Sequence, residues 1–230
     1  MNQWEEHFQR YVAGRLFRCE RIPEGKSKCP DFEVSVDKLP HKIVVEIKTL
    51  SPNDQDKRLR KSAEKYAEQV QRNPSVEPQI EVYIRSTHIS VRNHLEAAAK
   101  QFKEYSPGTA SNLVVLYSER ESDFRMLHPH MMEEALFGDY QLHYDIAPGA
   151  KAAPVGTSRR NKFFQQTGNT IVSAVACLQE PGTNKFFVFH NPYAENRMPL
   201  FLFADGECVQ YVPERIKGQC SVQVPYKIKL

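Results

Sequence analysis

Three residues near the amino end have the types and spacing for chemistry on a phosphate ester: Asp31, Glu46 and Lys48. Lys42 to Leu50 (KIVVEIKTL) has the composition of a strand, and successive strand side chains point to opposite faces. Val44, Glu46, Lys48 and Leu50 therefore share one face, while Ile43, Val45 and Ile47 share the other. Two intervals of about 3.3 Å place the Glu46 carboxylate and the Lys48 ammonium within reach of one small ligand. Charges in so apolar a run are costly without partners, and Asp31, at the start of an antiparallel neighbour across a hairpin, can supply one. Two carboxylates converging from adjacent strands make a hard-oxygen site suited to Mg²⁺, with Mn²⁺ as a substitute. The Ile47 carbonyl is a further candidate ligand. With Lys48 alongside, such a site can polarise a water and neutralise charge developing on phosphoryl oxygens, which implies phosphodiester hydrolysis. The plainer reading of an isolated ExK is an ion pair on a solvated edge strand, with Asp31 merely opening a turn after Pro30.

The elements that must position these residues are legible in outline. Trp4, Phe8, Tyr11, Val12 and Leu16 recur at helical spacing, predicting an amphipathic helix over 2–13 closed near Gly14. A strand from Phe32 to Val36, a turn over 37–41 and a strand from Lys42 to Leu50 form a hairpin. A charged helix follows over 56–72, then a strand from Ile80 to Ile84, a helix capped by Ser90 and running to Tyr105, and an apolar strand from Asn112 to Tyr117 buried on both sides. Further on, a helix is expected from Pro129 to Phe137 and a long mobile loop over 145–161, rich in Ala, Pro and Gly. Strand composition returns over 171–178, 185–190, 200–203 and 208–212, and weakly over 221–230.

Pro30-Asp31, fourteen intervening residues, then Glu46-Ile47-Lys48 in a strand–turn–strand setting resembles the PD-(D/E)xK nuclease superfamily, also called the restriction-endonuclease-like fold. The resemblance covers about half the chain, roughly residues 1–118. It implies that Asp31 and Glu46 hold the metal and that Lys48 orients water or stabilises the transition state. It also implies a glutamate on the inward edge of the preceding helix, a role that falls on Glu5 rather than Glu6. Exonuclease-like members carry a glutamine and a tyrosine four residues apart on a later helix, and Gln101 and Tyr105 match that form. The extra segment 51–88 departs from the family's order. The fold class implied is α/β: a restriction-endonuclease-like core over 1–118 with a mixed central sheet flanked by helices, and 119–230 as a strand-rich extension of the same domain.

Composition limits the alternatives. The 230 residues are 40% hydrophobic and 26% charged, ordinary for a globular chain, and 31 Lys plus Arg against 28 Asp plus Glu leave a net charge of +3. Nucleic-acid contact must therefore rest on local charge, at Lys57, Arg58, Arg60 and Lys61 on the charged helix and at Arg159, Arg160 and Lys162 after the loop. Such runs otherwise mark solvated faces. No apolar stretch is long enough to span a membrane and no export signal is visible. Five scattered cysteines without a CxxC pair argue against a disulfide framework, so the expected compartment is the cytoplasm. His128 and His130, flanking a proline near Glu133 and Glu134, read as capping and surface residues rather than metal ligands.

Three functions remain. The first is a Mg²⁺-dependent nuclease, acting on DNA rather than RNA by family weight. The second is a catalytically inactive protein on the same scaffold, binding nucleic acid or regulating a partner. The third is a hydrolase of smaller phosphate esters. The C-terminal half is free to dimerise, cover the cleft or select the partner.

Overall fold

Apolar strands with no polar face need cover on both sides, and the chain supplies it with helices above and below one mixed sheet. The computed structural model describes residues 2–15, 17–23, 25, 28–35, 42–50, 61, 64–65, 67–72, 87–105, 108–118, 127–145, 153–160, 162–178, 183, 185–204, 208–216 and 219–221. The elements are α1 (Gln3–Ala13), β1 (Arg18–Arg21), β2 (Phe32–Ser35), β3 (Lys42–Leu50), α2 (Thr87–Tyr105), β4 (Ser111–Ser118), α3 (Pro129–Phe137), β5 (Asp139–Asp145), β6 (Ala153–Arg160), β7 (Ala174–Leu178), β8 (Phe186–His190), a 3-10 turn (Leu200–Phe203), β9 (Val209–Tyr211), β10 (Glu214–Ile216) and β11 (Gln219–Ser221). Seven strands form the main sheet in the order β1-β2-β3-β4-β7-β8-β9. β3, β4 and β7 run parallel at its centre, with antiparallel β1–β2–β3 on one side and an antiparallel β7–β8 pair on the other.

The two faces of β3 enter different cores, as its alternation predicts. Ile43, Val45 and Ile47 pack with Phe8, Tyr11 and Val12 of α1 and with Leu202 and Phe203 of the 3-10 turn. Val44 and Leu50 pack with Val91, Leu95, Ala98 and Phe102 of α2. That α2 seam repeats at intervals of four, three and four, which keeps one helix stripe on the sheet. Val91, Leu95 and Phe102, fully buried, each contribute roughly 1.5–3 kcal/mol. β4 is buried along its whole length, as its apolar run requires.

α1 begins with Asn2, whose side chain accepts from the backbone N–H groups of Trp4 and Glu5 while Glu5 answers the Asn2 backbone N–H. This box satisfies amides that a helix start leaves open. α2 begins at Thr87 rather than at Ser90, which lies inside the helix. Residues 67–72 of the charged segment are helical, and Lys61 is helical and exposed.

Two further expectations are corrected. The segment expected as a mobile loop holds β6, which pairs antiparallel with β5 from Asp139↔Arg160 to Asp145↔Ala153 around an irregularity at His143/Tyr144. A strand-forming partner overrides the Ala, Pro and Gly composition, and the irregularity takes up the register change that lets Pro154 stand opposite Tyr144. Leu200–Phe203, apolar enough for a strand, is a 3-10 turn. So short an apolar run does not distinguish a strand from a buried turn; here Leu202 and Phe203 enter the α1-side core, and the Gln210 side-chain amide donates to the carbonyls of Leu200 and Phe203. The turn 37–41, the strand over 80–84 and the residues after 221 lie outside the described residues. β1, exposed and charged, has no apolar alternation to announce it.

Candidate active site

Asp31 stands where the β2–β3 ladder ends. Phe32 pairs with Val45, and the Asp31 N–H donates to the Val45 carbonyl at 2.9 Å. β2 has no further strand residue to receive the next inward N–H of β3, that of Ile47. The Asp31 carboxylate takes it instead, with Oδ2 at 2.6 Å from the Ile47 nitrogen. The aspartate thus finishes the ladder with its side chain, which satisfies a buried amide and fixes the carboxylate against β3. Ile47 enters the site through this N–H.

Glu46 and Lys48 emerge on the α2 side of β3. The Lys48 Nζ donates to Glu46 Oε1 and to Gln101 Oε1, the latter at 2.7 Å, and the Gln101 Nε2 donates to the Cys29 carbonyl at 3.3 Å. Gln101 therefore links helix, strand and the segment just before Asp31. Glu46 is 3% exposed, and its Oε2 is sealed from solvent without a hydrogen-bond partner among the described residues. An unpaired buried carboxylate oxygen is costly. Burial first, and the Asp31 carboxylate second, push the Glu46 carboxyl up to about 7 against the opposing pull of Lys48 and, more weakly, Gln101. Asp31 is also raised, by burial first and by Glu5, while the Ile47 N–H, Lys48 and Arg21 hold it down. Two carboxyl groups at close quarters resist ionising together.

The remaining predicted residues separate into two groups. Glu5 is buried and close enough to Asp31 to raise it, but its oxygens already receive the Asn2 backbone N–H at 3.2 Å and side-chain N–H at 2.9 Å, and Arg21 stands 3.5 Å away. Tyr105 is 40% exposed one turn beyond Gln101 and is felt by Lys42, at the opposite end of β3 from Lys48. Gln101 is brought to Lys48; Tyr105 flanks the helix end. Lys61 is exposed, Lys162 is partly buried, and Arg159 and Arg160 sit on β6 opposite Tyr140 and Asp139. Lys57, Arg58 and Arg60 lie outside the described residues.

His94 is a residue the sequence reasoning passed over. It lies seven positions before Gln101, two helical turns along the same face, and burial first, then Lys48, lower its pKa. It is held as a neutral imidazole beside the site. The seven-residue spacing was the available signal.

Compared with known proteins, the chain matches no protein-family model, no curated protein and no solved structure. The chemistry of the site must carry the functional reading.

Among the described residues, no group of three or more His, Cys, Asp or Glu side chains is gathered for a metal. The pair Asp31 and Glu46 nevertheless suits a cation that needs few protein ligands. Glu46 Oε2 has no hydrogen-bond partner among the described residues, and both carboxyl groups are raised, by burial first and by their negative neighbours second, a penalty on ionisation that a divalent ion would relieve. Mg²⁺ takes one or two carboxylates and fills its shell with water and phosphate oxygens.

Proposed function

We propose that this chain is a Mg²⁺-dependent nuclease of the PD-(D/E)xK type, with a restriction-endonuclease-like core, hydrolysing phosphodiester bonds in DNA. The observation that carries the reading is the buried, unpartnered Oε2 of Glu46, set beside the Asp31 carboxylate and held next to a lysine that Gln101 positions. A structural ion pair has no use for an orphaned acceptor. A site that receives a cation does.

Asp31 and Glu46 would hold Mg²⁺, which when bound supplies Lewis-acid charge and a water of lowered pKa. The chain's own groups account for the rest. The Ile47 N–H keeps the Asp31 carboxylate oriented, so little reorganisation is needed on binding. Glu46, raised to about 7, gives up its proton when positive charge arrives, which couples binding to pH. Lys48, held by Gln101, presents its ammonium where charge develops on phosphoryl oxygens, and neutral His94 leaves it the positive group of that face. Lys61, Arg159, Arg160 and Lys162 are the basic residues with which a DNA backbone would be tracked.

The test is cleavage of single- and double-stranded DNA and RNA with Mg²⁺ or Mn²⁺, wild type against Lys48→Ala. Loss of a transition-state ammonium should slow cutting by about 10²-fold or more. Cutting unchanged in Lys48→Ala and in Glu46→Ala would remove the activity from this site. Binding without any cutting in the wild type would instead identify a DNA-binding module on the same scaffold.

A further inference from the structure

At the end of the sheet away from Lys48, a cavity of about 340 Å³ opens between Ser173, ahead of β7, His190, at the end of β8, and the 3-10 turn. That volume is in the range of small-molecule sites. Most polar groups of its floor are committed. Ser173 Oγ donates to the Asn196 carbonyl at 2.5 Å and accepts from the Asn112 N–H at 2.9 Å. The Asn191 side-chain amide donates to the carbonyls of Val172 and Asn169, and its oxygen accepts from the Tyr193 N–H.

Two polar groups remain open. Gln210 Nε2 donates to two carbonyls, so its Oε1 is the acceptor facing His190 Nε2 at 2.8 Å, and that nitrogen must carry a hydrogen. Burial holds the imidazole neutral against the pull of this bond. His190 Nδ1 is therefore a bare acceptor with no partner among the described residues, on a side chain 7% exposed that lines the cavity. The second open group is Arg197, exposed at the rim and without an ion-pair partner among the described residues. Leu200 and Val212 line the same cavity and are 38% and 39% exposed, two of the three exposed large hydrophobics among the described residues. A buried acceptor, an open cation and uncovered apolar walls converge on one space.

We propose that this cavity binds a small anion with a flat apolar body bearing an N–H: the body lies against Met198, Leu200 and Val212, the N–H donates to His190 Nδ1, and the acidic group pairs with Arg197. The chemistry is shared by nucleoside monophosphates and by heteroaromatic carboxylates. It is independent of the cleavage reading, since the cavity uses no residue of the Lys48 site.

Calorimetric titration of the full chain with adenosine 5′-monophosphate, uridine 5′-monophosphate and indole-3-acetate tests it, with inorganic phosphate as control. A nucleotide response alone assigns a nucleotide source, and an indole-3-acetate response alone assigns a carboxylate; either supports the site. Arg197→Gln should weaken binding about tenfold, as expected for one charge-assisted hydrogen bond, and Val212→Asp by at least as much. Both positions are exposed, so both variants should fold, and Lys48→Ala should bind as wild type. Silence from all three probes, a response equal to that of phosphate, or affinities unmoved by Arg197→Gln and Val212→Asp would overturn the proposal.

Discussion

Glu46→Gln isolates the electrostatic strain of the site from its packing. Glutamine keeps the shape of the side chain, so the α2-side core is undisturbed. The folded-state carboxyl is raised from 4.5 to about 7, so between those values the folded protein binds more protons than the unfolded chain. Stability from this group is greatest below about pH 4.5 and falls as pH rises through 7. The full loss is on the order of 3 kcal/mol. Glutamine removes it, and the pull of Lys48 on the ionised carboxylate is already contained in the raised value. The variant should therefore be more stable than wild type by about 3 kcal/mol at pH 8 and equal to it, within about 0.5 kcal/mol, near pH 4.5. Urea unfolding at the two pH values measures the gap, with the midpoint shifting by about 1–1.5 M at pH 8 for a urea dependence of about 2–3 kcal/mol per M. Mg²⁺ at pH 8 should close the gap by stabilising wild type alone, about 2.7 kcal/mol at a hundredfold excess over its dissociation constant. A gap of the same size at both pH values, or a variant less stable than wild type at pH 8, would refute the reasoning.

Asp31→Ala removes the acceptor of the Ile47 N–H and should cost about 1–2 kcal/mol in urea unfolding at neutral pH. The same change takes away a negative neighbour of Glu46, so the Glu46 carboxyl, followed by carbon NMR, should titrate at lower pH than in wild type. Asn2→Ala strips the cap of α1 and should cost about 1 kcal/mol, with faster amide exchange at Trp4 and Glu5.

The strand that carries the site was readable because its two faces are unequal. Alternation alone sends Ile43, Val45 and Ile47 to one core and Val44 and Leu50 to the other, leaving Glu46 and Lys48 as the polar interruption. The helical seams of α1 and α2 were readable for the same reason, a period that survives in the order of apolar residues. The β5–β6 hairpin was not, because its pairing depends on a partner rather than on composition. Nor was the 3-10 turn at Leu200–Phe203, where packing decides between two uses of one apolar tetrad. The box joining Asn2 and Glu5 had a sequence signature, a capping residue with Glu three positions on, and it explains why the Glu5 carboxylate is already occupied.

By itself the sequence determined which residues alternate, which faces are apolar and that Asp31, Glu46 and Lys48 belong to neighbouring extended segments. Those are local properties, set by the period of a strand or helix. Only the tertiary structure decided that Asp31 closes the ladder on Ile47, that Gln101 rather than Tyr105 reaches Lys48, that His94 sits nearby, and that one oxygen of Glu46 is left without a partner. The first depends on where the β2–β3 ladder runs out, and the others on how a helix some fifty residues away is laid across a strand, a distance fixed by the packing of whole layers, which no local period records.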